Sequence, residues 1–140
     1  GVDPSQEAVN YASQFLDKSF LGTANNLPFE SDSIDVLIFG FCLYLCDRSD
    51  LFLITSEANR VLKKKSWLAI VDFWTPYPQS NQYKDRKNIR SYKLNLNSMF
   101  TWHPDYEIYE HNLQKWQTKK YTDDINEWVA STLIRKNSKN

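Results

Sequence analysis

The stretch FLGTANNLPFESDSIDVLIFGFCLYL, residues 20–45, alternates buried and exposed segments within a short length. A short apolar segment at 20–24 is followed by a polar loop at 25–33, and a continuous apolar run then covers 34–39. Such a run, interrupted only by Asp35, is typical of a strand that is buried on both faces of a parallel sheet. The stretch therefore predicts two strands joined by an exposed loop, with polar positions at the strand ends.

The rest of the chain predicts strands that alternate with helices. The predicted elements are, in order, a strand end at 1–3, a helix capped by Ser5, strands at 20–24 and 34–39, a helix starting at 47–49, a strand at 67–73, an irregular segment at 74–84, a helix at 89–100, and strands at 106–116 and 127–135. The first helix depends on the spacing of Ala8, Ala12, Phe15 and Leu16, and the second on Leu51, Ile54, Ala58 and Val61, with Lys63, Lys64 and Lys65 closing it.

This order indicates an α/β fold with a largely parallel sheet, because strands that alternate with helices pair in that way. The short last link indicates an antiparallel pair of strands at the sheet edge. A chain of 140 residues fits one domain, over 1–140.

Composition excludes several classes of protein. With 41% hydrophobic and 24% charged residues, the chain is an ordinary globular protein and not a disordered one. The longest apolar run, 36–46, is shorter than the ~20 residues that span a bilayer, so no membrane partner is expected. Cys42 and Cys46, four residues apart, could form a disulfide, bind a metal as a pair or pack as two reduced thiols. We prefer the packed thiols and predict no metal site. Reduced cysteines also lead us to expect a cytoplasmic location.

Net charge is zero but unevenly distributed. Residues 1–62 carry nine acids and three bases, whereas 63–140 carry eight acids and fourteen bases. An anionic partner is one interpretation of the basic run, which contains Lys84, Arg86, Lys87, Arg90 and Lys93. A solvated helix face is preferred, because Asp85 and neutral polar residues interrupt the run, and nucleic acid is not an expected partner.

Four segments resemble the class I S-adenosylmethionine-dependent methyltransferases of the small-molecule type. They are GVDPS at 1–5, LPFESDSIDVLIFGFCLYL at 27–45, EANRVLKKKSWLAIVDF at 57–73, and EWVASTLIRK at 127–136. Their order and spacing carry the resemblance, which spans essentially the whole chain. It implies a Rossmann-like methyltransferase sheet, mostly parallel, with an antiparallel pair of strands at the C-terminus.

The resemblance also implies a role for each strand end. In α/β sheets, ligands bind at the carboxyl ends of the strands. By position, Asp3 would accept hydrogen bonds from the ribose hydroxyls, Thr23 and Ala24 would contact adenine, and Phe39, Gly40 and Phe41 would line the methionine part of the cofactor. The family often has an aspartate where this chain has Thr23, so the adenine contact is expected to rely on the Ala24 backbone. Asp72, at another strand end, marks the same edge.

The chain departs from the family in one respect that bears on binding. Its glycines are Gly1, Gly22 and Gly40, and none forms the G-x-G-x-G loop that follows the family's first strand. The resemblance therefore implies a fold truncated at the N-terminus, an incomplete and inactive piece that is expected not to bind the cofactor. The family's first strand lies centrally, so the neighbouring strands are expected to rearrange locally or to form a homodimer through the exposed edge.

The expected reaction is methyl transfer to a small-molecule acceptor that the sequence does not identify. No catalytic residue is assigned: Tyr44, His103 and His111 are candidates for a base, and packing or surface roles are preferred for them. Aromatic residues at 74–106 either line an acceptor pocket or belong to the core. Two alternatives stay open, namely a non-catalytic methyltransferase-like domain used for protein contacts and a nucleotide-dependent oxidoreductase.

Overall fold

A computed structural model describes residues 1–83 and 86–137. The strands are β1 (Val2–Asp3), β2 (Phe20–Leu21), β3 (Ile34–Gly40), β4 (Leu62–Phe73), β5 (Gln79–Gln82), β6 (Arg90–Lys93), β7 (Tyr106–Lys115) and β8 (Trp128–Lys136). The helices are α1 (Gln6–Ala12), α2 (Leu51–Val61) and α3 (Ser98–Thr101), with 3₁₀ turns at Leu43–Leu45, Arg48–Asp50 and Ile125–Glu127. None of the helices within the described residues is long and apolar enough to cross a membrane.

The main sheet has four strands in the order β3-β4-β8-β7. β3 runs parallel to β4, whereas β8 runs antiparallel to both β4 and β7. β1 and β2 form a separate parallel pair, and β5 and β6 form an antiparallel hairpin. The α/β fold class and the antiparallel C-terminal pair predicted from the sequence are therefore confirmed.

Helix α2 covers one face of the main sheet. Its buried residues Ile54 and Ala58 belong to the same apolar cluster as Phe39 of β3, Leu68 of β4 and Ile134 of β8. Burial of such side chains stabilises the fold by about 25 cal/mol for each Å² of apolar surface removed from water. The apolar face predicted for this helix is confirmed.

The predicted helix at 89–100 is wrong over most of its length. Gln79–Gln82 and Arg90–Lys93 pair as the strands of the β5–β6 hairpin, and within 89–100 only Ser98–Thr101 lies in a helix. The Gln82 side-chain amide donates hydrogen bonds to the carbonyls of Arg86, Lys87 and Ile89, which closes the hairpin loop. These contacts satisfy the backbone groups that a helix would otherwise have paired.

Two further corrections concern the ends of the helices. Helix α1 ends at Ala12, so Phe15 and Leu16 lie beyond it and are 71% and 48% exposed. The Ser5 cap is confirmed, because its side chain accepts a hydrogen bond from the Ala8 amide. Lys63–Lys65 lie inside strand β4 and do not close helix α2, since the chain leaves the helix at Leu62 with extended backbone angles.

Strand β3 was predicted to be buried on both faces, but one of its faces is exposed. Val36 and Ile38 are 53% and 64% exposed, whereas Phe39 on the opposite face is 4% exposed. The reason is that helix α2 packs on one face only and that β3 is the edge strand of its sheet. The continuous apolar run therefore has an uncovered side within the described part of the chain.

Candidate functional site

The parallel pairing of β1 with β2 places the predicted site residue Asp3 next to the end of β2. Asp3 pairs with Leu21, and the Gly22 amide donates to the Asp3 carbonyl at 3.1 Å. The Asp3 side chain is exposed, and its Oδ1 accepts from the Ser5 amide at 2.8 Å. Oδ2 makes no hydrogen bond within residues 1–83 and 86–137, so it can accept one from a ligand.

The chain turns immediately after β2. Thr23 forms an isolated bridge with Asn26, and its hydroxyl donates to the Asn25 side chain at 2.6 Å. Ala24 is partly buried and packs on the cluster that contains Phe39. The Thr23 hydroxyl is thus engaged locally, and strand β2 ends three residues earlier than the sequence predicted.

At the end of β3, Gly40 has open space beside its backbone and Phe41 has a left-handed backbone conformation. Phe39 points its ring into the core, so only its backbone is available to a ligand. A Cβ built on Gly40 would meet no atom within 4 Å, which leaves open space beside this backbone. Phe41 has a φ of 49°, a left-handed conformation that costs about 1–3 kcal/mol for such a residue, while its amide still donates to the Val71 carbonyl at 2.8 Å.

The Asp72 carboxyl lies beneath the turn that follows β3. It is 1% exposed, and its Oδ2 accepts from the amides of Leu43 at 2.9 Å and Tyr44 at 3.3 Å. Its Oδ1 accepts from the Phe73 amide at 2.8 Å. Burial raises the pKa of Asp72 to about 6, and the backbone hydrogen bonds limit that rise. This carboxyl therefore ties the end of β4 to the 3₁₀ turn Leu43–Leu45.

The two cysteines lie beside Asp72. Both are free and partly buried, and the Cys46 thiol donates to the Cys42 carbonyl at 3.4 Å. Burial, with a further contribution from Asp72, raises the pKa of the Cys42 thiol to about 12. A thiol in this environment stays protonated near neutral pH and is a poor nucleophile. Both cysteines pack as small apolar groups, as the sequence indicated.

Five aromatic rings meet at this edge, and we call them the aromatic cluster: Phe41, Tyr44, Phe73, Tyr83 and Trp116. The ring of Phe41 lies 4.5 Å from that of Trp116 and 5.7 Å from that of Phe73. The ring of Tyr44 lies 5.0 Å from that of Phe73 and 6.5 Å from that of Tyr83. The sequence did not single out Phe73 or Trp116; their positions at the ends of β4 and β7 were the available signal.

The histidines make local structural contacts. His111 Nδ1 lies 2.7 Å from the Thr132 hydroxyl and 3.3 Å from the Asn97 amide nitrogen. Burial lowers the pKa of His111. His103 Nδ1 accepts from the Asp105 amide at 3.2 Å. These contacts account for both side chains by packing and support the preference stated from the sequence.

The predicted site residues thus fall into two groups. Asp3 pairs with Leu21, two residues before Thr23, while Gly40 pairs with Val71, the residue before Asp72. That both groups face one bound molecule stays a prediction. The features present fit an adenosine-bearing cofactor at two points: the Oδ2 acceptor of Asp3 and the open space beside Gly40.

Comparison with known proteins gives the family. The family described as "Methyltransferase domain" matches residues 1–70. An uncharacterised methyltransferase of Bacillus subtilis (strain 168), YcgJ, is 29% identical in an alignment of 133 residues that covers 83% of this chain and 50% of that protein. The chain thus spans about half the length of this curated relative.

Solved structures show the same fold. A SAM-dependent methyltransferase from Methanosarcina mazei matches with a TM-score of 0.77 and 15% identity, over 99% of this chain and 82% of that one. The 1,6-didemethyltoxoflavin-N1-methyltransferase of Burkholderia thailandensis, solved with 1,6-didemethyltoxoflavin and S-adenosylhomocysteine bound, matches with a TM-score of 0.69 and 12% identity, over 98% of this chain and 60% of that one.

Because the family match covers half of the chain, and the sheet has the expected parallel β3–β4 pair and antiparallel C-terminal pair, the chain belongs to the methyltransferase-domain family and has a class I, Rossmann-like methyltransferase fold.

Proposed function

We propose that this chain contributes the strand-end edge at which S-adenosylmethionine binds and methyl transfer to a small-molecule acceptor takes place. The observation that carries the proposal is the exposed Asp3 carboxylate, at the end of a parallel strand pair in a methyltransferase domain. A carboxylate at such a position can accept hydrogen bonds from two neighbouring hydroxyls.

Each predicted binding residue has a distinct part in this proposal. Asp3 accepts from the ribose hydroxyls, and the Ala24 backbone, with little help from the engaged Thr23 hydroxyl, contacts adenine. The backbones of Phe39, Gly40 and Phe41 approach the methionine part, where Gly40 leaves open space. When bound, the cofactor supplies the electrophilic methyl group; the protein orients the partners and excludes water.

The catalytic residue is not assigned in this proposal. Burial raises the pKa of the Tyr44 hydroxyl to about 12, and the neighbouring Tyr83 adds to this rise. Such a hydroxyl stays protonated near neutral pH and is poorly suited to act as a base. A base is needed only if the acceptor loses a proton during attack.

Residues 1–140 act as one partial domain in the cytoplasm, and no glycine-rich loop occurs in their sequence. This chain on its own is therefore expected not to retain the cofactor and to be inactive, so binding must be sought at millimolar ligand concentration. A homodimer through the edge of β3 is a further proposal. The comparisons do not favour the non-catalytic alternative.

The test is a titration of the chain with S-adenosylhomocysteine at millimolar concentration, followed by NMR at the backbone amides. We expect shifts at Gly22, Ala24 and Gly40, and shifts that are smaller with NADH. Asp3→Asn should reduce the shifts, whereas Asp17→Asn, a matched change at another exposed carboxylate, should not. Equal responses of the two variants would disprove the ribose contact, and larger shifts with NADH would favour the oxidoreductase.

A further inference from the structure

The β5–β6 hairpin lies directly against the turn that follows β3. The Arg48 guanidinium lies 5.0 Å from the centre of the Tyr92 ring, and the Lys93 ammonium lies 4.8 Å from that of Phe73. The Tyr83 ring, next to β5, lies 6.5 Å from that of Tyr44. The hairpin thus forms one wall beside the strand-end edge, at the place where the sequence had predicted a helix.

The aromatic cluster lies next to the β5–β6 hairpin. Its ring pairs are tilted or edge-to-face, with interplanar angles of 53° to 71°. Aromatic rings prefer offset or edge-to-face contacts with one another, so a cluster of this kind can accept another planar ring. Trp116 is 41% exposed and Phe41 is held beside it by its left-handed backbone, which leaves apolar surface accessible next to the open space at Gly40.

The Lys93 side chain lies where the β5–β6 hairpin meets the aromatic cluster. Lys93 Nζ donates to the Asn126 carbonyl at 2.5 Å, and within the described residues no carboxylate lies within salt-bridge distance of it. The neighbouring Lys115, by contrast, is paired with Glu127 at 2.9 Å. Burial lowers the pKa of Lys93, and the Asp124 carboxylate, in the loop before β8, opposes that shift.

Together these observations identify a class of acceptor. We propose that the acceptor is a planar aromatic small molecule with an ionised carboxylate, whose ring packs on Phe41, Phe73 and Trp116 and whose carboxylate meets Lys93. The inference rests on the proposed function, because it takes this edge as the acceptor side of a methyltransferase site. The ring and the carboxylate of the acceptor contribute separately to its binding: the aromatic cluster contacts the ring, and Lys93 contacts the carboxylate.

Binding of three probes without any cofactor tests the proposal. Naphthoate has both features, naphthalenemethanol keeps the ring without the charge, and cyclohexanecarboxylate keeps the charge without the aromatic plane. By titration calorimetry or NMR, we expect naphthoate to bind about tenfold more tightly than either of the others. Comparable binding of all three probes, or tightest binding of cyclohexanecarboxylate, would overturn the proposal.

Variants locate the binding site. Trp116→Leu should weaken naphthoate binding about tenfold, and Trp116→Tyr, which keeps an aromatic ring, should restore most of it. Trp102→Leu is the matched control, since Trp102 is 69% exposed and lies outside the aromatic cluster. An equal loss in Trp102→Leu and Trp116→Leu, or no rescue by Trp116→Tyr when circular dichroism shows a folded chain, would contradict the assignment.

The charge is tested in the same way. Lys93→Met should weaken naphthoate binding and leave naphthalenemethanol binding unchanged, whereas Lys64→Met, an exposed lysine near the opposite end of β4, should change neither. A loss of both ligands in Lys93→Met would overturn the anion contact. These measurements contain no S-adenosylhomocysteine: if that ligand binds and naphthoate does not, the acceptor inference fails while the proposed function stands.

Discussion

The Asp72 carboxyl combines deep burial with three backbone hydrogen bonds, and it therefore couples the strand-end turn to pH. Its pKa is raised from 3.8 to about 6, chiefly by burial. A carboxyl whose pKa is higher in the folded than in the unfolded state stabilises the fold below the unfolded pKa, and this contribution is lost as the pH rises through the folded pKa. The window for Asp72 is thus about pH 4 to 7.

We predict that this residue makes the chain less stable as the pH rises across that window. A shift of this size corresponds to about 3 kcal/mol at most, at 1.36 kcal/mol for each pKa unit. The variant Asp72→Asn has no carboxyl to titrate, so it should not lose this stability as the pH rises. The difference in unfolding free energy between wild type and variant should therefore change by about 1–3 kcal/mol between pH 4 and pH 7. Urea unfolding at both pH values measures it.

The matched control is Asp35→Asn. Asp35 is paired with Lys63 at 2.8 Å on an exposed surface, where an ion pair contributes about 0–1 kcal/mol. This variant should cost less than about 1 kcal/mol at either pH. The prediction about Asp72 is wrong if the difference between wild type and Asp72→Asn is the same at pH 4 and at pH 7.

Residues whose partners are close in sequence could be predicted, and those with distant partners could not. Asp3 and Ser5 were placed correctly at a strand end and a helix start, because their contacts lie within three residues along the chain. Two of the three hydrogen-bond partners of Asp72 lie 28 and 29 residues away, so its role in holding the turn after β3 was invisible in the sequence. The same holds for Trp116, whose ring neighbours are Phe41, directly after β3, and Phe73 of β4.

At the scale of elements, helix α2 ends on a side chain from another strand. Lys136 of β8 donates from Nζ to the carbonyls of Asn59 and Leu62, both at 2.7 Å. The last carbonyls of a helix lack partners within it, and a cation there also interacts favourably with the helix dipole. The lysines that follow the helix in sequence do not serve this role, although the sequence suggested that they would.

We predict that Lys136→Met destabilises the chain by about 1–3 kcal/mol, because it leaves two carbonyls at the helix end without a donor. Lys64→Met removes an exposed lysine near the same helix end and should change stability by less than about 0.5 kcal/mol. Urea unfolding of the two variants at neutral pH compares them. Equal losses would show that the contribution of Lys136 is not specific to these hydrogen bonds.

A second contact joins α2 to the loop at 25–33. The Glu57 carboxylate accepts from the Leu27 amide at 2.9 Å and is paired with Arg60 at 2.7 Å. Arg60 in turn donates to the carbonyls of Phe29 at 2.8 Å and Leu27 at 3.1 Å. This pair fixes the loop after Thr23, the position proposed to contact adenine, relative to the main sheet.

We predict that Glu57→Ala releases this loop. Hydrogen exchange at the Leu27 amide should become at least about tenfold faster, because the amide loses its acceptor. Exchange at the Phe41 amide, which donates to Val71 within the sheet, should stay unchanged and serves as the internal control. Protection of the Leu27 amide that survives the substitution would show that Glu57 does not hold the loop.

At the scale of the whole molecule, the order of strands and helices up to β4 was predictable from apolar periodicity. The β5–β6 hairpin was not, because the apolar spacing of Ile89, Tyr92 and Leu96 fits a helix as well as a strand. The exposure of Val36 and Ile38 was also missed, since periodicity reports which residues are apolar and not whether a second layer covers them.

The uncovered edge of β3 leads to a prediction about assembly. β3 ends its sheet among the described strands, and β1 pairs only with β2, so the backbone groups along one side of β3 have no strand partner there. An edge strand with exposed apolar side chains favours pairing with another molecule. We predict concentration-dependent dimerisation by sedimentation velocity, weakened by Ile38→Lys and not by Phe52→Lys, which removes an 84% exposed ring on α2. A chain that stays monomeric at high concentration, or that responds equally to both substitutions, would rule out dimerisation through this edge.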